Sequence, residues 1–170
     1  TVAIGHLACT VQAGTGGDQF ANATTAVGYK ALAALTTGNG NTAIGFLAGE
    51  DLETNGQNTF LGYKAGFNVT GAGNIIIGYE SGESVTTGQS NVIIGTGTAM
   101  GADCDENVTI GKNAMRGGGV SNKSVGIGAY AMGAATYTTP GTDGTVAIGW
   151  SALTALTSGG GNVAIGNSAG

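Results

Sequence analysis

The chain has 170 residues, 35 of them Gly and 1 Pro, and only 9% are charged, against about 25% charged and about 7% Gly in ordinary globular proteins. Ten acidic and five basic side chains leave a net charge of -5, so no basic stripe exists to release counterions from a phosphate backbone, and no nucleic acid is expected as a partner. A hydrophobic content of 41% and a mean hydropathy of +0.17 exclude a disordered chain; no G-X-Y triplet supports collagen, and no apolar run reaches the roughly 18 residues of a membrane helix.

From the first residues onward one pattern recurs: polar, apolar, small or apolar, aliphatic, Gly. It appears as TVAIG at 1–5, TTAVG at 24–28, NTAIG at 41–45, NTFLG at 58–62 and NIIIG at 74–78. It continues as NVIIG at 91–95, NVTIG at 107–111, SVGIG at 124–128, TVAIG at 145–149 and NVAIG at 162–166. The closing residues are Gly5, Gly28, Gly45, Gly62, Gly78, Gly95, Gly111, Gly128, Gly149 and Gly166, spaced by 16 or 17 residues except for intervals of 23 and 21. Such a period predicts a single repeat domain over 1–170, with one coil per repeat and about ten coils. The two long intervals predict loops near 14–22 and 136–144. Thr1 in place of Met suggests a window of a longer fibrous protein.

The columns of the repeat predict its local structure. The aliphatic residue before each glycine (Ile4, Val27, Ile44, Leu61, Ile77, Ile94, Ile110, Ile127, Ile148 and Ile165) is expected to be the buried core column of a strand. Two residues earlier stand Val2, Thr25, Thr42, Thr59, Ile75, Val92, Val108, Val125, Val146 and Val163, all β-branched and on the same face of an extended segment. Each closing glycine is read as supplying a positive φ or a close backbone approach. Three residues beyond it the side chain is small, from Ala8 and Ala31 to Ala152 and Ala169, which implies tight packing. Asn41, Asn58, Asn74, Asn91, Asn107 and Asn162 open their strands, and their amides are expected to form a ladder at about 4.8 Å per coil. The Ala/Leu-rich stretches at 30–35 and 151–156 are too short for independent helices. The expected fold is therefore all-β, a parallel β-solenoid roughly 45 Å long at about 4.8 Å per coil.

Candidate sites are few. The residue after each glycine reads His6, Tyr29, Phe46, Tyr63, Tyr79, Thr96, Lys112, Ala129, Trp150 and Asn167. Tyr29, Phe46, Tyr63, Tyr79 and Trp150 are candidates for receptor contact if exposed, because aromatic rings hold the apolar faces of sugars; otherwise the column serves stacking or a subunit interface. Asp103, Asp105 and Glu106 form an acidic turn with enough oxygen for calcium but without EF-hand spacing, so a solvated turn is the plainer reading. Glu50, Asp51, Glu53, Glu80 and Glu83 are read as surface charge in preference to a glycosidase pair. His6 is the sole histidine and no nucleophile motif accompanies it, so neither an enzyme nor a cofactor is expected. Cys9 and Cys104 lie about five coils apart and are expected to be free thiols. Sequons at Asn22, Asn68, Asn107 and Asn122 are of the kind that arises often in Asn/Thr-rich chains.

The motifs TVAIG and NVAIG, each followed by two variable positions and Ala, resemble the head repeat of YadA-like trimeric adhesins over the whole chain. The longer units NTAIGFLAG and TTAVGYKAL, separated by TTGNGN, are also similar to repeats of phage tail fibres. The resemblance implies a left-handed parallel β-roll, homotrimeric, with aliphatic columns buried within and between subunits. It further implies an extracellular segment of a virion tail fibre that contacts a host-cell glycan or protein receptor, with no membrane insertion. The alternatives are the head of a bacterial trimeric surface adhesin and an ice-binding β-solenoid. Thr25, Thr42 and Thr59 begin the regular grid that ice binding needs, but valines replace it from Val92 onward.

Overall fold

The computed structural model describes residues 1–10, 22–98, 100–116, 121–133 and 142–170. The expected loops near 14–22 and 136–144 therefore lie outside the described residues, apart from Asn22 and 142–144. Every repeat contributes one three-residue strand: β1 (Val2–Ile4), β2 (Thr25–Val27), β3 (Thr42–Ile44), β4 (Thr59–Leu61), β5 (Ile75–Ile77), β6 (Val92–Ile94), β7 (Val108–Ile110), β8 (Val125–Ile127), β9 (Val146–Ile148) and β10 (Val163–Ile165). They form one parallel sheet in chain order. Equivalent motif positions pair in every step, as in Thr42↔Thr59, Ala43↔Phe60 and Ile44↔Leu61. The architecture is a β-solenoid, all-β, with no helix among the described residues. The stretches at 30–35 and 151–156 are turns.

Outside the strands the backbone alternates in handedness. The second residue after each closing glycine has positive φ, as in Lys30, Leu47, Lys64 and Glu80, and the fourth repeats this in Cys9, Leu32, Met115, Met132 and Leu153. A non-glycine residue in this region costs about 1–2 kcal/mol. Hydrogen bonds between coils offset the cost. The first of these N–H groups points to the preceding coil, as in Leu47 to the Tyr29 carbonyl at 2.9 Å, and the second to the following coil, as in Leu32 to the Ala48 carbonyl at 3.0 Å. Glycine closes each strand for both expected reasons. At Gly45 the φ is 148°, and a Cβ there would stand 2.1 Å from the Gly62 carbonyl oxygen.

The interior corrects one sequence expectation. Within the chain the column Ile4, Val27, Ile44, Leu61, Ile77, Ile94, Ile110, Ile127, Ile148 and Ile165 is not the core: Ile4, Ile44, Leu61 and Ile165 are exposed and the others half-buried. Pleating places the central residue of each strand inside instead, and Ala26, Ala43, Phe60, Ile76, Ile93, Thr109 and Ala147 are fully buried. The column three residues past the glycine packs within as expected, with Ala31, Ala48, Ala65, Ser81, Thr98, Ala114, Ala131 and Ala152 at 0% exposure.

Inward volume is shared between columns. Phe60 fills space that Gly49 and Gly66 leave, for a Cβ on either would approach its ring to 2.5 Å. At the opposite extreme the central residue is Gly126, where a Cβ would meet Met115 Cγ at 2.8 Å. Leu35, Leu52, Val69 and Val85 close the interior along its remaining side. A packed interior of this kind tolerates neither a void nor an added methyl group.

The expected amide ladder runs unbroken from Asn41 to Asn107. Asn58, Asn74, Asn91 and Asn107 each donate a backbone N–H to the preceding asparagine's Oδ1 at 2.9–3.0 Å. Their side-chain amides also cap turn carbonyls, as Asn91 Nδ2 does to Cys104 O at 2.7 Å. Asn162 falls outside the ladder, its Nδ2 bonding the Gly159 carbonyl. The burial of Asn107 removes it as a glycan acceptor, whatever its sequon.

Candidate functional site

Two surfaces result from this backbone. The first is the outer face of the sheet, formed by the first and third residues of all ten strands. Of these twenty side chains, seventeen are Val, Ile or Leu and three are Thr25, Thr42 and Thr59. None is charged. At about 4.8 Å per coil and about 3.3 Å per residue the strip measures roughly 45 by 10 Å, on the order of 450 Å². An apolar strip of that order matches the largest patch of an ordinary monomer, which is often functional. Composition could have revealed it: a strand apolar on inner and outer faces alike is suited to burial on both.

The second surface is the column after the closing glycine. His6, Tyr29, Phe46, Tyr63 and Tyr79 stack in succession, with ring centroids 5.8, 5.1, 5.2 and 5.1 Å apart and interplanar angles of 5–22°. The strands repeat in register, so identical attachment points deliver the rings one above another. The rings remain partly exposed, from 39% at Tyr63 to 52% at Tyr79. Lys64 lies 5.6 Å from the ring centroids of both Tyr63 and Phe67, and Lys30 lies 5.9 Å from that of Tyr29. Lys30 also pairs with Glu50 at 2.8 Å, and this hydrogen bond, followed by the Glu50 charge, holds its ammonium above the ordinary value. Glu80 likewise raises the Tyr79 phenol, through hydrogen bonding first and charge second. Trp150 shares the column but stacks with no ring among the described residues.

The acidic candidates are dispersed. Asp105 Oδ1 accepts the Gln89 N–H at 2.7 Å, Asp103 accepts the Thr87 hydroxyl, and Asp105 donates its own N–H to Asn122 Oδ1 at 2.8 Å. These bonds join turns of successive coils. Asp103, Asp105 and Glu106 do not converge on a common point, and no group of three potential metal ligands occurs among the described residues. Glu50 is engaged by Lys30, and Phe67 stands between Glu50 and Glu83 in their shared column. Burial first, then Glu50 and Glu53, raises the Asp51 carboxyl above the usual range. Cys9 and Cys104 are buried and share no disulfide, as expected, and burial pushes the Cys104 thiol up.

Sequence reasoning missed one polar cluster. Beyond Asn107 the ladder position passes to Ser124 and Thr145. The Ser121 and Ser124 hydroxyls lie 2.9 Å apart, and Ser124 Oγ donates to Thr142 O at 3.2 Å. The Thr142 and Thr145 hydroxyls, both buried, have no partner among the described residues. The substitution of Ser124 and Thr145 for Asn was the available signal.

Comparison with protein-family models, curated proteins and solved structures found no match for the chain.

Proposed function

We propose that the chain is a non-enzymatic structural and attachment segment of a trimeric extracellular fibre, of the kind that projects a host-binding surface from a virion tail. The carrying observation is the outer strip: seventeen aliphatic side chains, no charge, ten coils in register. A second and third copy of the same chain would cover it, since identical rods offer matching 4.8 Å corrugations over their whole length. In this reading the coil winds left-handed, as in the adhesin heads that its motifs resemble. The aliphatic column then becomes core only between subunits.

The inner and outer columns can be separated by experiment. Ile94→Asp places a charge on the half-buried outer strip, and Ile93→Asp places one at 0% exposure inside the coil. Ile94→Asp is expected to retain the β circular dichroism of the parent while its solution mass falls from three chains of 16.4 kDa to one. Ile93→Asp is expected to lose the fold, because an unpaired buried charge costs several kcal/mol. A parent chain of monomeric mass would overturn the trimer. Adhesion of the fluorescently labelled chain to bacterial cells favours the tail fibre, and adhesion to animal cells or matrix proteins favours a bacterial adhesin head.

A further inference from the structure

We propose that the indole of Trp150 is a platform for the apolar face of a neutral pyranose unit in a surface glycan. The proposal rests on the attachment reading and narrows its ligand. A pyranose binds an aromatic side chain by laying its C–H face on the ring, with its hydroxyls reaching polar groups at the rim. The ring must therefore have an uncovered face. Tyr29, Phe46 and Tyr63 do not, because each has a stacked neighbour at 5.1–5.8 Å on either side. The middle of the ladder offers edges and hydroxyls only, and its end ring, Tyr79, has one of its two faces covered by Tyr63.

Trp150 differs in every respect that matters. Its neighbours in the column are Ala129 and Asn167, and at 55% it is the most exposed Trp, Tyr or Phe residue among those described. Around it the column reads Thr96, Lys112, Ala129 and Asn167, which is neither a stacking series nor an apolar interface core. The backbone beneath it is fixed: the Trp150 carbonyl accepts the Ser168 N–H at 2.8 Å, and Ser151 N–H bonds Ala129 O at 2.9 Å. Only two side-chain torsions remain to be ordered, which keeps the entropic cost of binding low. One coil on, Asn167 Oδ1 accepts the Ser168 hydroxyl at 3.1 Å, leaving the amide protons free of any described partner at the rim. Charge selects the ligand class. Beyond Lys123 the only ionisable side chains apart from Tyr and Cys types reduce to Asp143, and the chain carries -5 overall, so a neutral sugar is favoured over an anionic one.

Trp150 is the sole tryptophan, so its fluorescence reports its own occupancy. The full chain would be screened on an array of neutral and sialylated or uronate-bearing glycans, and the hits titrated by tryptophan emission. The expected result is a saturable emission shift with a neutral glycan. Trp150→Ala, checked by circular dichroism and solution mass, should weaken array binding at least tenfold, whereas Trp150→Tyr keeps part of it and Tyr63→Ala changes it less than threefold. Undiminished binding by Trp150→Ala, binding only to anionic glycans, or a Trp150→Ala variant that loses its oligomeric mass would each overturn the proposal. A chain that adheres to cells but to no glycan on the array also overturns it while leaving the attachment reading intact. A chain that binds neither defeats both.

Discussion

The coils of β3–β7 and those of β8 and β9 share one backbone but seal the seam ahead of the strand with different chemistry. In the first set an amide serves each coil. Asn91 donates through Nδ2 to Asn74 Oδ1 at 3.1 Å and to Cys104 O at 2.7 Å, and its Oδ1 accepts both nitrogens of Asn107 at 3.0 and 3.1 Å. In the second set the seam carries hydroxyls, each with a single proton to give. Ser124 Oγ accepts the Thr145 N–H at 3.2 Å, but Thr142 and Thr145 keep buried hydroxyls without a described partner. An amide has two donors and an acceptor that receives twice, so it continues itself through a stack; a hydroxyl does not. Within the turns the offset from the strand decides the room, for Gly71 lies three residues before its motif's strand opening at Asn74 and Gly144 one residue before Thr145. A Cβ on Gly71 would meet the Gly88 carbonyl oxygen at 2.0 Å, whereas one on Gly144 has no described atom within 4 Å.

The turn difference carries the largest expected effect. Gly71→Ala forces two coils apart at a backbone contact and is expected to cost more than about 4 kcal/mol. Gly144→Ala meets only the strain of φ at +71°, about 1–2 kcal/mol. Urea unfolding of the two variants measures the gap, and equal midpoints would contradict the tight seam. Next in size is the amide ladder. Asn91→Ala removes four hydrogen bonds and leaves the buried Asn107 N–H unpaired, for about 3–4 kcal/mol. Ser124→Ala, in the hydroxyl seam, is expected to cost about 1–2 kcal/mol. Hydrogen exchange should show lost protection on both sides of residue 91 and a smaller loss around residue 124. A larger effect at Ser124 would reverse the ranking of the two seams.

Much of this molecule was legible because a solenoid writes each contact many times. The ten strands coincide with the three central residues of the ten motifs, the pairing register follows motif on motif, and the glycine, alanine and, Asn162 apart, asparagine columns occupy the places expected of them. The inside and outside of the strand were exchanged for a physical reason. A constant column looks like a core, and the column ending in Ile165 is nearly constant. The true inward column runs from Gly126 through Ala43 to Phe60, because the glycine or methionine facing it takes up the difference in volume. Packing conserves a sum over two positions fifteen or fewer residues apart, and no single column displays that sum. The receptor-contact candidates were similarly treated as one series, since stacking of neighbours, which separates Tyr63 from Trp150, is a property of three coils at once.

The smallest expected effect is the one of opposite sign. Thr145 sits at the opening of the β9 motif with its hydroxyl buried and unpaired, while its N–H is already satisfied by Ser124 Oγ. Valine has nearly the same shape and carries no polar group to desolvate. Thr145→Val is therefore expected to stabilise the coil by about 1 kcal/mol, the reverse of the usual effect of a core substitution. Thr25→Val, on the half-exposed outer strip of β2, is the matched control and should change monomer stability by less than about 0.5 kcal/mol. Midpoints in urea, compared for the two variants under conditions that keep the chain monomeric, decide the matter. A destabilised Thr145→Val would mean that a buried water bridges Thr142 and Thr145, and the hydroxyl seam would then be a complete network that closes through solvent.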